Sequence, residues 1–203
     1  MKKEEKTQIT KAKIFAAAMK EFGTKGYAGG SINNICKTGI NKGLIYHNYK
    51  DKDALYLECV KKSCEDLLGY ILDRKADNGF VEYMRARMHF FKEHEWEAYI
   101  FLETRTNPPH QLKEQIEKIY TKFDELNISI FEKELMRHEL RSGVLKEDAL
   151  HYFLEIQKIF HYKFANEWNN KESLTEQLDL HESYIKKIFD FMLYGIAKGG
   201  NEA

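Results

Sequence analysis

Apolar side chains along this chain return every third or fourth position, the period of a helix with one buried stripe, and seldom alternate as a half-buried strand would. Ala12, Phe15, Met19 and Phe22 make the first stripe, which runs out near Gly23 and Gly26. A glycine-containing break follows at Gly26, Gly29 and Gly30, and the Gly29-Gly30 pair predicts a soft loop. Ser31 reads as the N-cap of a short helix with Ile32, Ile35 and Cys36 inward. Gly39-Ile40 reads as a tight turn, and Asn41 as the N-cap of a second short helix over 42–49. Asp51 or its neighbour opens a longer helix, with Leu55, Cys59, Ser63 and Leu67 on one stripe. Further helices are predicted near 79–94, 95–106, 108–141, 147–169 and 180–198. Pro108-Pro109 suits a helix start and Ser142-Gly143 a stop.

Composition agrees with an all-α chain. Only 2 prolines and 12 glycines interrupt 203 residues, of which 43% are hydrophobic and 32% charged. No apolar run approaches the roughly 18 residues of a membrane span. The opening MKKEEKTQIT has no signal-peptide core, so no membrane association and a cytoplasmic location are expected. Three cysteines are too few for a disulfide framework.

The formal net charge of zero hides a division along the chain. Residues 1–63 carry 13 lysines, no arginine and 6 acids, a net +7, whereas the remainder carries 19 bases against 26 acids. That is the distribution of a polyanion-binding head on a body that does not bind polyanions. Enzyme chemistry finds little support. His94-Glu95, His138-Glu139 and His181-Glu182 each lack the second histidine a zinc helix needs, and there is no P-loop, GxGxxG or GxSxG. The chain is therefore expected not to be an enzyme, and to need no cofactor and no metal.

Two short capped helices joined at a glycine turn in a basic region meet the requirements of a helix-turn-helix, in which the second helix offers its N-terminal half to the major groove. The ordered series Phe22-x3-Gly26-Tyr27, Ser31-Ile32-x2-Ile35, Gly39-Ile40-Asn41-Lys42-Gly43-x-Ile45-Tyr46-His47-x-Tyr49 and Lys52-Asp53-x-Leu55 resembles the N-terminal domain of the TetR family of transcriptional regulators. Two features depart from that pattern. The stretch between Ile35 and Gly39 is one residue shorter, and Cys36 stands where a small alanine is common.

The resemblance implies an N-terminal three-helix helix-turn-helix DNA-binding domain, placed at 7–66, and a larger C-terminal helical domain for ligand binding and dimerisation, placed at 67–203. It implies a homodimer on a near-palindromic double-stranded operator, most simply a repressor released by a small-molecule effector. The family's phosphate-contacting hydroxyl falls on Ser31. Its recognition-helix contacts fall on Lys42, Gly43, Leu44, Tyr46 and His47, beside the capping Asn41, and the lysine at the next helix start falls on Lys52.

In the body, Met88, His89, Trp96, Arg105, Tyr120 and Phe123 are the expected lining of an effector cavity. Phe153, Ile156, Phe160 and Phe164 on one helix, with Ile185, Phe189 and Met192 on the next, are the expected dimer surface. The same stripes could instead face the chain's own core. The competing function is an all-helical small-molecule-binding or protein-interaction module that does not read DNA.

Overall fold

The computed structural model describes residues 3–140, 142–167 and 174–194; the side chains of 160–167 lie outside that description. Among the described residues there are nine α-helices and no strand: α1 Lys3–Gly29, α2 Ile32–Cys36, α3 Lys42–Asn48, α4 Lys52–Asp73, α5 Phe80–Glu93, α6 Glu95–Thr106, α7 Lys113–Leu135, α8 Lys146–Glu167 and α9 Leu174–Tyr194. Short 3-10 turns at Ala76–Asn78 and His110–Leu112 precede α5 and α7.

The expected caps are where the sequence puts them. The side chains of Ser31, Asn41 and Asp51 accept from the amides of Asn33, Gly43 and Ala54 and so start α2, α3 and α4. The predicted stripe of α4 is buried in full: Leu55, Cys59, Ser63 and Leu67 all face inward. α4 runs unbroken past residues 66 and 67, so it serves both the head and the body.

Three boundaries differ from expectation. Pro108-Pro109 precede a 3-10 turn rather than α7 itself, because that turn absorbs the change of direction. α7 stops at Leu135 instead of continuing to 141. Arg137 donates from Nη1 to Glu134 at 3.0 Å and from Nη2 to the Asn78 carbonyl at 2.6 Å, drawing the chain back. α9 begins at Leu174 rather than 180. Its first inward positions include the polar Gln177 and His181, which interrupt the apolar stripe by which a helix is recognised.

The Gly29-Gly30 loop is not soft. A side chain on Gly30 would meet the Phe22 ring at 2.5 Å, so Gly30 is a packing glycine pressed on the core. That core is one body of side chains drawn from both the head and the body, and it includes Phe22 of α1, Ile45 of α3, Tyr56 of α4 and Phe101 of α6. A second cluster joins α7, α8 and α9 through Phe131, Leu135, Phe153 and Phe189. Phe131 and Phe153 stack at 3.9 Å, and Phe189 meets both edge-on.

This second cluster corrects the expected dimer surface. Phe153, Ile185 and Phe189 are buried in the chain's own core, with Ile156 and Met192 half-buried beside them. An amphipathic stripe specifies that something covers it, and here the chain's own helices do: Phe131 of α7 meets Phe153 and Phe189, and Phe80 of α5 stacks on Phe189. The side chains of Phe160 and Phe164 lie outside the described residues. The outward faces of the same two helices carry other large apolar groups: Tyr152 and Ile159 seven apart on α8, Tyr184 and Phe191 seven apart on α9.

Candidate nucleic-acid interface

α2 and α3 are too short to be stable alone and are held by their ends and a few inward isoleucines. Ile32 and Ile35 anchor α2, and Ile45 is the buried residue of α3. Between them, Gly39 takes φ 91°, a left-handed turn position that glycine fills without strain. The shortened connection after Ile35 is thus closed by a compact turn, with the amide of Gly39 donating to the Cys36 carbonyl at 3.0 Å.

A carboxylate from α1 fixes the start of this unit. Glu21 Oε1 accepts from the Ser31 amide at 3.2 Å and the Asn34 side-chain amide at 2.9 Å, and Lys25 pairs with the same carboxylate. Burial works against that charge, but the bonds from Asn34 and Lys25 and the Ser31 amide hold the Glu21 carboxyl below its usual range.

The outward surface carries the residues expected to meet DNA. Asn41, Lys42, Gly43, Leu44, Tyr46 and His47 are all exposed on or beside α3, with Leu44 at 44% and Tyr46 at 49%. Lys42 Nζ donates to Asn33 Oδ1 at 3.1 Å, linking the exposed sides of α2 and α3. Ser31 Oγ accepts from the Asn33 amide at 3.2 Å, a bond that uses an oxygen lone pair and not the hydroxyl proton. Lys52 is half-buried, its ammonium 4.3 Å above the Tyr27 ring, and that ring steers it to the start of α4. Ser31, α3 and Lys52 therefore belong to one small unit with a hydroxyl, an aromatic and two cations on its outer side.

The expected effector residues are not gathered in one place. His89 and Trp96 are exposed, with His89 turned to Tyr70 and Glu93, and Met88 is half-buried. Trp96 packs on α1: a side chain at Gly23 would lie 2.3 Å from its Cβ. Arg105 is held by Asp124 at 2.8 Å. Tyr120 and Phe123 are interior; Tyr120 meets the Thr104 hydroxyl at 2.9 Å, while Phe123 borders a polar group that the sequence pattern does not reveal. There Arg87 donates to Glu182 at 2.8 Å and to Tyr83 at 3.2 Å, inside a shell of Tyr83, Phe91, Phe101 and Phe123 rings. Among the described residues, Arg87 Nε and Glu182 Oε2 are buried without hydrogen-bond partners.

Sequence reasoning also missed Glu103 of α6. Its carboxylate accepts from the Tyr27 amide at 2.8 and 3.1 Å and from the Tyr56 hydroxyl at 2.6 Å. Burial pushes its carboxyl up despite these bonds and the nearby Lys52. No local signal marks it, since its partners lie 76 and 47 residues away.

Comparison with known proteins agrees with this geometry. Residues 14–59 match the family model for bacterial regulatory proteins of the tetR family. The chain is 26% identical over 188 residues to the HTH-type transcriptional repressor AcnR of Corynebacterium glutamicum, covering 90% of this chain and 96% of that one. A transcriptional repressor of Streptomyces coelicolor is 41% identical over 61 residues, 30% of this chain and 32% of its own. Among solved structures, the regulator FadR of Bacillus subtilis, crystallised with stearoyl-CoA, shares the fold at a TM-score of 0.62 and 16% identity, over 92% of this chain and 99% of that one. The TetR-family regulator PfmR of Thermus thermophilus shares it at 0.56 and 18%, over 91% and 99%. The capped helix pair and most of the basic head thus lie in a segment, residues 14–59, that matches the tetR family of bacterial regulatory proteins, and a helical body follows in the fold shared with these structures.

Proposed function

We propose that the protein is a DNA-binding transcriptional repressor that acts as a homodimer on a near-palindromic operator and is released by a small-molecule effector. The observation that carries this reading is the exposed edge of α3. Lys42, Gly43, Leu44, Tyr46 and His47 face outward on a helix whose inward anchor is Ile45. Ser31 and Asn41 stand at the cap positions of α2 and α3, and Lys52 at the start of α4. Such an edge supports base reading from the first turns of α3, with Ser31 and Lys52 on flanking phosphates. An enzymatic role draws no support from the relatives, which are regulators.

The dimer reading shifts to the outward faces of α8 and α9, where Tyr152, Ile159, Tyr184 and Phe191 present apolar surface suited to a second copy. For the effector, the supporting feature is the Arg87–Glu182 group within its aromatic shell. A ligand's polar end lodged there would satisfy the two buried atoms that lack partners.

The test uses the full chain. Wild-type protein should enrich a two-fold DNA site from a random pool, and binding should fall steeply with salt. Lys42→Ala should lower the slope of log affinity against log salt by about 0.9 for a lost phosphate contact, and Tyr46→Ala should relax sequence preference. Failure to enrich any site, or variants indistinguishable from wild type at every salt concentration, would favour the non-DNA-binding module.

A further inference from the structure

We propose that Glu103, a residue of the body, is a positioning residue for DNA reading: its carboxylate fixes the angle at which the head is carried. The inference rests on the DNA-binding reading above. It starts from a defect in α1, which bends at Gly26 with φ 67° and ψ −178°. Amides just beyond such a bend need an acceptor from outside the helix. Glu103 supplies it, taking the Tyr27 amide at 2.8 Å on one oxygen and 3.1 Å on the other.

The approach is possible because residue 26 has no side chain. A Cβ there would lie 2.4 Å from Glu103 Oε1, and the positive φ independently favours glycine. One turn earlier Gly23 admits the Cβ of Trp96 in the same way. Trp96 and Glu103 are seven apart on α6, so a single face of that helix lies directly against the end of α1.

The same carboxylate also holds α4. Tyr56, wholly buried, donates its hydroxyl to Glu103 at 2.6 Å. Tyr27 in turn donates its hydroxyl to Asp53, receives Gln111 at 2.8 Å and carries the Lys52 ammonium over its ring. One acidic group of the body thus ties together the last turns of α1 and the first turns of α4. These two helices carry α2 and α3 between them. Two such heads on one dimer must meet grooves about one helical turn apart, so the angle of each head decides whether both can bind together.

The experiment takes full-length protein and the operator that the wild type selects from a random pool, together with versions lengthened or shortened by one or two base pairs between half-sites. Affinities are normalised to the folded fraction, read by circular dichroism. Glu103→Ala should bind the parent operator about tenfold more weakly, the scale of one lost charge-assisted hydrogen bond. It should also discriminate less among the spacings than wild type does. Glu103→Gln, whose carbonyl can still accept from the Tyr27 amide and whose amide can donate to the Tyr56 oxygen, should stay close to wild type in both respects. Tyr56→Phe keeps the ring and removes one bond; it should flatten spacing discrimination in part, and it provides the measurement if Glu103→Ala does not fold.

Spacing discrimination unchanged in Glu103→Ala and Tyr56→Phe, or Glu103→Gln as impaired as Glu103→Ala when fully folded, would overturn the proposal while leaving the DNA-binding reading intact. A wild-type protein that selects no DNA would overturn both.

Discussion

Glu182→Leu should destabilise the protein by about 3–5 kcal/mol, the scale for removing one partner of a buried ion pair. Arg87 and Glu182 are 4% and 3% exposed, so neither charge has water to fall back on. With Glu182 gone, the guanidinium keeps the Tyr83 hydroxyl and the ring faces around it but has lost its counter-charge. For a chain of this length the loss corresponds to a melting temperature lower by roughly 6–20 °C, at about 2–4 °C for each kcal/mol. The double exchange Arg87→Met/Glu182→Leu should recover most of the loss and lie within about 2 kcal/mol of wild type, because both desolvated charges leave together. A small residue of cost is expected, since His181 Nδ1 lies 3.0 Å from the same Glu182 oxygen. Urea unfolding followed by circular dichroism and by tryptophan fluorescence measures all three proteins. A double variant as unstable as Glu182→Leu alone, or a single variant that loses less than about 1 kcal/mol, would refute the assignment of Arg87–Glu182 as a desolvated pair.

Acid should weaken the fold in two stages. Burial holds His181 neutral and its pKa below 6.5, so its contribution is complete above pH 6.5 and is lost as pH falls from there. Burial alone would raise Glu182, but Arg87 and His181 outweigh it and hold its carboxyl below 4.5. Its contribution is therefore lost only below pH 4.5, and thermal melts of His181→Asn against wild type between pH 4 and 7 should show the upper stage flattened. Glycines should divide by environment. Gly69→Ala, inside α4 with nothing near its added Cβ, should stabilise by about 0.5–1 kcal/mol. Gly30→Ala, facing the Phe22 ring at 2.5 Å, should cost about 1–3 kcal/mol, and the pair is read from the shift in urea midpoint.

Local chemistry was legible in the sequence wherever it acts over a few residues. Ser31, Asn41 and Asp51 are caps because their oxygens reach amides two or three positions on, and the stripe of α4 repeats at helical spacing. Legibility ends where a partner is distant. Phe153, Ile185 and Phe189 announce a buried face without saying whether their own chain or another copy buries it. The start of α9 was hidden because its buried positions mix polar with apolar: Gln177 turns inward beside Leu178, and His181 and Glu182 follow. Trp96, Arg105 and Tyr120 look alike as cavity lining, yet they meet a glycine of α1, an aspartate of α7 and a threonine of α6 respectively. Glu103 has no neighbour in sequence that would single it out.

The manner in which α3 is fastened bears on how its specificity can change. Ile45 enters the core and Asn41 caps the first turn, while Leu44, Tyr46 and His47 point away from the core and Lys42 makes one exposed bond to Asn33. Exchanges at Lys42, Leu44, Tyr46 and His47 therefore leave the fold almost untouched, since surface substitutions away from packed groups typically alter stability by less than about 0.5 kcal/mol. On the proposed DNA-reading role of α3, a lineage carrying this scaffold can try new recognition sequences at little structural risk, and a designer can do the same by leaving one isoleucine and one asparagine alone.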